Sequence, residues 1–383
     1  MFTLQFFMRK LSYVAGLIML ILSSQGCKKA NDSSPSDAGK VEVFINDVPF
    51  YTNEYLRIPF TLKTWEWRMS GYVLKQVVVT DDVTKAVLAT YEGDGLPLVY
   101  SNPPTQRLLF PPDQIHDYYF SIQLPVPINQ KRPERISGKL VFTDTLLNST
   151  VVAGGWVFTP RYDESPTLIQ PPVRGKHWMF YDHAGNGYHF YSMVFTGGQI
   201  GTGERFATDV LRLNEIQDHY YDGDPGQNSS YFSYGDTLYA VADGVVEECR
   251  DSVTDNDGNR KNHQDFYVPI DYAGNYLIIN IGNGHYAMYA HCKTHSLMTG
   301  KGDSVKAGQP IALLGNSGNT SAPHLHFQVT GGPDFFMSRG QPFVFKEFYL
   351  TGSFREPPFA TPASYFNSLC EQYGVITCSF VVQ

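Results

Sequence analysis

Positive charge, cysteine and long apolar runs are all scarce in this chain of 383 residues. Lys and Arg number 29 against 37 Asp and Glu, a formal charge of -8, which argues against a nucleic-acid partner. An apolar run from Leu11 to Leu22 is too short to span a bilayer comfortably, and no transmembrane helix, heptad pattern or internal repeat follows it. Beyond Cys27 only Cys249, Cys292, Cys370 and Cys378 remain, with no zinc-finger arrangement among them. Neither a Gly-x-Ser-x-Gly segment nor a phosphate loop is present, so serine hydrolases of that type and nucleotide enzymes drop from first consideration.

The N terminus reads as an export signal. Arg9 and Lys10 precede the apolar run, and small polar residues lead to Gly26-Cys27. This resembles a lipoprotein signal peptide over 1–26, cleaved before Cys27, whose thiolate would accept the lipid. Ser24 and Gln25 depart from the usual lipobox, and a plain secretory signal or an uncleaved anchor is the alternative. Two or more acyl chains make a stable membrane anchor. Removing 1–26 takes away Arg9 and Lys10 and no acid, so 27 basic against 37 acidic groups leave -10. Export permits disulfides; Cys370 with Cys378 is the first pairing to expect because the loop is short, and free thiols at Cys249 and Cys292 are an alternative.

Residues 27–40 are small and polar, a tether that cannot bury a core. From 41 to 160, β-rich stretches recur: Val41 to Ile45, Phe60 to Met69, Lys75 to Thr80, Ala86 to Tyr91, Tyr118 to Leu124, Ile136 to Phe142 and Thr150 to Phe158, divided by turn residues. The spacing predicts an antiparallel β-sandwich, without a chemical motif, serving as spacer or docking module. Proline-rich Ser165 to Val173 marks a linker over 161–174. The second domain, 175–352, is also mainly β, and 353–383 is a C-terminal extension.

Chemistry concentrates in that second domain. In Pro323-His324-Leu325-His326-Phe327, strand alternation projects His324 and His326 together while Leu325 and Phe327 face the opposite layer. Upstream, in order, stand Asp209, Tyr239 to Val246, Tyr289-Ala290-His291, Gly302 to Ile311 and Gly315 to Thr320. Together these segments resemble the lysostaphin/LytM family of peptidoglycan zinc metalloendopeptidases, from near His189 to Gly352. The resemblance implies a β-rich peptidase domain in which Asp209 and His326 hold zinc and His291 and His324 are catalytic. Three protein ligands would leave a position for water, whose proton one imidazole could take while the other stabilises the oxyanion.

One position departs from the family pattern. In Arg205-Phe206-Ala207-Thr208-Asp209, arginine stands where the His-x-x-x-Asp motif has its first ligand, and a guanidinium stays protonated and cannot ligate. His189 is a candidate replacement: if Tyr188 to Val194 is a strand and Thr196-Gly197-Gly198 a turn, His189 lies opposite Arg205 or Phe206. A histidine bonded to backbone or exposed on a sheet edge is the alternative. His177, His183, His219, His263, His285 and His295 read as surface or supporting residues. Asp255-Asn256-Asp257-Gly258-Asn259 resembles a calcium loop, but it lacks the required first acid and closing glutamate and is expected to be a solvated turn.

The expectation is therefore a mainly β chain: an antiparallel sandwich followed by a lysostaphin-type domain. It would act as a zinc endopeptidase on peptidoglycan stem peptides or cross-bridges, from a membrane-anchored, periplasmic position. The competing expectation is a degenerate domain that binds peptidoglycan or regulates a partner wall hydrolase.

Overall fold

The computed structural model describes residues 41–51, 55–64, 72–93, 100–101, 118–144, 147–181, 188–196, 199–216, 219–259, 266–346, 349–353 and 378–382. The leader with Cys27, the tether, His183, His263 and Cys370 lie outside them. The described chain is mainly β, and its helical turns are short 3-10 turns. Among the described residues no helix is long and apolar enough to cross a membrane.

Of the stretches read as strands between 41 and 158, Val41 to Ile45, Phe60 to Thr64, Lys75 to Thr80, Val87 to Tyr91, Tyr118 to Leu124, Ile136 to Phe142 and Thr150 to Phe158 are strands, while 65–69 lie outside the described residues. One sheet runs Val41–Asn46, Tyr55–Thr64, Tyr118–Pro127 and Tyr100–Ser101, with Phe50–Tyr51 pairing onto Tyr55–Thr64. A second sheet runs Val87–Glu92, Tyr72–Asp81, Ile136–Asp144 and Ser149–Phe158. Their pairings are antiparallel, and every second residue of the longer strands turns inward into one shared core: Ile58, Phe60 and Ile122 from the first sheet meet Val77, Leu140 and Trp156 from the second. The strand expected to begin at Phe60 starts at Tyr55, because Ile58-Pro59 continues the ladder opposite Gln123 and Leu124.

The C-terminal part is built on a nine-stranded sheet, in the order Ser304–Val305, Gly244–Arg250, Asn275–Gly282, His285–Cys292, Leu325–Thr330, Thr208–Arg212, Gly175–Tyr181, Cys378–Val382, Tyr349–Ser353. Period-two alternation divides its side chains between two faces. Leu277, Ile279, Tyr289, Leu325, Phe327 and Val329 pack into the main apolar core. Ile278, Met288 and Ala290 point the other way, under Phe335 and Phe336, and that face carries the histidines.

Two boundaries differ from those read in the sequence. The proline-rich 161–174 is not a free linker: Thr167–Ile169 pairs in parallel with Phe343–Phe345, and Ile169 and Val173 are buried in the main core. Apolar residues on either side of Pro171 and Pro172 let this segment cover the sheet. Nor is 353–383 wholly an appendage, since Cys378–Val382 is a strand inside the large sheet. The supposed solvated turn at 255–259 is also different: Asn256 is buried, and its amide donates to the Gly318 carbonyl at 2.8 Å. Asn316 in turn donates to the Gly258 carbonyl at 2.8 Å, so the turn latches the loop ahead of His324. Cys249 and Cys292 are free thiols, Cys292 buried.

Candidate metal centre and histidine cleft

Asp209 and His326 stand directly opposite each other on adjacent antiparallel strands, Thr208–Arg212 and Leu325–Thr330. Ala290 pairs with His326 on the next strand. His324 precedes its strand by one residue and keeps the alternation, so it reaches the cleft beside His326 while Leu325 and Phe327 enter the core. His291 reaches the same cleft by breaking the alternation. On a regular strand it would follow Tyr289 into the core; instead its φ is 62° and the pairing to Asn275–Gly282 is irregular between Asn275 and Leu277. This bulge turns the ring onto the side of Met288 and Ala290.

His189 arrives by a 3-10 turn rather than by the strand expected over Tyr188 to Val194. Val194–Thr196 and Gln199–Gly201 pair antiparallel, with Val194 opposite Gly201, while Gly197 and Gly198 lie outside the described residues. Extending that register sets His189 opposite Phe206, but both residues sit in 3-10 turns, Tyr188–Tyr191 and Gly203–Phe206, rather than in strands. The turn at Tyr188–Tyr191 leaves His189 buried, with its ring centroid 4.7 Å from that of His326. Arg205 leaves the cleft altogether and is buried in the seam facing the N-terminal sheets. Asp209, His326 and His189 thus come together, with one donor atom of each within 4.8 Å of the others.

Hydrogen bonds fix which nitrogen of His291, His324 and His326 faces the cleft. Gln328, two residues beyond His326 on the same face, donates its Nε2 to the Phe335 carbonyl at 2.7 Å, so its Oε1 accepts from His326 Nε2 at 2.9 Å. That leaves His326 Nδ1 bare and 3.1 Å from Asp209 Oδ1. His324 Nδ1 donates to the Ala322 carbonyl at 2.8 Å, and its Nε2 lies 3.6 Å from the same Asp209 oxygen. His189 Nε2 is 3.8 Å from it. His291 Nδ1 donates to the Ser317 carbonyl at 2.8 Å, freeing its Nε2. Three imidazole nitrogens therefore converge on one carboxylate oxygen. Imidazole nitrogens and a carboxylate can all act as electron donors, and such a group is stabilised by a proton or a cation between them.

The electrostatics agree. Burial alone would raise the Asp209 carboxyl, but His189, His324 and His326 outweigh it and hold the group far below the usual carboxylate range. Burial, reinforced by His324 and His326, keeps His291 well below the ordinary imidazole value and so neutral. The rings of His291 and His324 lie 4.8 Å apart. The cleft over these groups has a volume of about 320 Å³ and is walled by Glu204, Tyr272, Asn319, Ser321, Phe335 and Phe336. Of its contributors, Gln328 was visible in principle as the next residue on the face of the histidine pair. Glu204 and Phe335 carried no motif. Of the histidines given weaker claims, His177, His219, His285 and His295 do not line the cleft.

Part of the chain is similar to known peptidases. Residues 230–335 match the model of peptidase family M23, a span holding His291, His324 and His326 but ending short of Asp209, Arg205 and His189 upstream. Over 95 residues the chain is 35% identical to the peptidoglycan DD-endopeptidase ShyA of Vibrio cholerae, covering 25% of this chain and 17% of ShyA. Over 58 residues it is 45% identical to the peptidoglycan DD-endopeptidase ShyB of the same organism, covering 15% of this chain and 13% of ShyB. The chain thus spans less than a fifth of the length of these relatives. Among solved structures, the catalytic domain of lysostaphin from Staphylococcus simulans is 25% identical, with 32% of this chain and 84% of that chain covered and a TM-score of 0.21. The likeness to peptidase family M23 thus rests on residues 230–335, which supply three of the histidines of the cleft.

Proposed function

We propose that the chain is a zinc-dependent endopeptidase that cleaves peptide bonds in peptidoglycan stem peptides or cross-bridges, held at the envelope membrane by a lipid on Cys27. The observation that carries this reading is the convergence of His189, Asp209 and His326 within 4.8 Å, which makes up three ligands despite the arginine at position 205. Two imidazoles and a carboxylate suit zinc, and three protein ligands leave it an open position. Bound there, zinc would supply Lewis acidity, acidifying a water and polarising a peptide carbonyl.

The remaining groups do the proton work. His291 and His324 each have Nδ1 committed to a backbone carbonyl and a bare Nε2. Either ring is thus prepared to take a proton from the attacking water. Once charged, it can donate a hydrogen bond to the carbonyl oxygen as negative charge develops there. Gln328 holds His326 in the tautomer that exposes Nδ1. Phe335 and Phe336 give the cleft an apolar wall. Retention of both of these histidines beside a complete ligand set supports an active enzyme over a degenerate binding domain. The peptidoglycan substrate is supported by the DD-endopeptidase relatives. Periplasmic anchoring is supported by the leader and Gly26-Cys27.

The test is digestion of purified sacculi by the full chain, read as release of muropeptides. Digestion should stop on chelation and return with zinc. His324→Ala should keep its metal yet lose about 100-fold or more in turnover. An unchanged muropeptide profile with zinc-loaded protein would refute the reading.

A further inference from the structure

Arg205 is more than an absent ligand. Its guanidinium is 0% exposed, with Nε 2.5 Å from Asp47 Oδ2 and Nη1 3.2 Å from Ser121 Oγ. Both partners belong to the N-terminal sheets: Ser121 lies on Tyr118–Pro127, and Asp47 follows the strand Val41–Asn46. Asp47 is itself 1% exposed and takes a second guanidinium, since Arg339 Nε donates to its Oδ1 at 3.0 Å. Arg339 also donates to the Asn46 carbonyl. An arginine keeps its proton in any protein interior, so burying one requires an anion at hand. Asp47 is that anion.

The face of the same guanidinium lies over Phe190, with Cζ 4.1 Å from the ring centroid. Phe190 is the neighbour of His189 in the turn Tyr188–Tyr191. A 3-10 turn of four residues has little stability of its own, so external contacts must hold it. Those contacts come from the seam. Phe190 rests on Arg205 and edges onto Phe206, Phe206 meets Phe50, and Met193 packs on Tyr119. Phe50 and Tyr119 again belong to the N-terminal sheets.

We infer that Asp47 is a positioning residue for the metal centre: by fixing Arg205 beneath Phe190 it sets His189 toward Asp209 and His326, so the N-terminal domain completes the metal site. This rests on the reading that His189 is a ligand. The arginine at 205 then serves to recruit a ligand from the preceding turn, and the N-terminal sheets are part of the working peptidase rather than a spacer.

The experiment measures zinc affinity of the full chain by competition with a chromophoric chelator, for the parent, Asp47→Asn, His189→Ala and the double variant. Asp47→Asn should weaken binding by about tenfold or more, the size expected when support for a ligand is lost. In the His189→Ala background the same change should cost nothing further, because Asp47 acts through His189. A merely structural role would not show that non-additivity. Should Asp47→Asn lack a cooperative thermal transition, Phe190→Leu decides, with the same loss expected. Affinity within about twofold of the parent in the folded variant, or a full additional loss in the double variant, overturns the inference while leaving the ligand set intact. A parent that binds no zinc, or His189→Ala that binds as the parent does, overturns both the ligand reading and this one.

Discussion

Changing Arg205 to histidine restores the residue expected of the family motif, and it should fail to improve the site. The side chain at 205 is directed into the seam, where Arg205 is 0% exposed against Asp47 and Ser121 and is not part of the cleft wall. Removing the guanidinium strips one partner from a buried carboxylate, a change that costs about 3–5 kcal/mol when the remaining charge has no compensation. Arg339 still reaches Asp47, although its side chain is 37% exposed, which places the ionic loss near the lower end of that range. Loss of the cation–π contact to Phe190 adds about 1 kcal/mol. A total of about 4 kcal/mol is a large part of the stability of an ordinary domain. Urea unfolding of Arg205→His and parent, both in excess chelator, should show this loss. Zinc affinity measured without denaturant should fall, because Phe190 and His189 lose their support. A variant as stable as the parent that also binds zinc more tightly would refute the reasoning. It would mean that position 205 can turn into the cleft and that His189 is not the completing ligand.

Two further outcomes follow from other groups. Gln328→Leu removes the acceptor that holds His326 Nε2 and should weaken zinc by about 10-fold to 100-fold with little change in fold, checked by chelator competition and circular dichroism; unchanged affinity would mean the tautomer is held by other means. Asp236 is pushed up to about 6 by burial, which outweighs Arg212 at 3.2 Å because that arginine is 39% exposed. A carboxyl raised in the folded state favours its protonated form there. Its contribution to stability is therefore present at about pH 4 and lost as pH rises through about 6. Asp236→Asn should gain about 1–2 kcal/mol over the parent near pH 8 and little near pH 4, after allowance for solvent near Arg212. Parallel stability curves for the two proteins across that range would contradict the assignment.

Much of the site was legible because it depends on local periodicity. The alternation at Pro323-His324-Leu325-His326-Phe327 is enough to send two imidazoles to one face, and the main core accepts Leu325 and Phe327 as that pattern requires. The pairing of Val194–Thr196 with Gln199–Gly201 was likewise readable from the turn residues between them, and its register runs back to set His189 opposite Phe206. What periodicity could not give was the 3-10 conformation of Tyr188–Tyr191, which depends on tertiary support, or the bulge that turns His291 outward. Asp47 carried no local signal at all: its partners Arg205 and Arg339 are far away in the chain, and only packing brings them together. The proline-rich segment misled for the opposite reason. Its composition is that of a linker, yet Ile169 and Val173 find an apolar sheet face to cover.

On the proposed function, His189 supplies the ligand absent from position 205. X-ray absorption at the zinc edge of the full chain, loaded with one equivalent of zinc, counts imidazoles directly through their outer-shell scattering. Nitrogen and oxygen neighbours are expected at about 2.0–2.2 Å, with two imidazoles in the parent and one in His189→Ala. A parent with a single imidazole, or a His189→Ala spectrum identical to the parent, would contradict it.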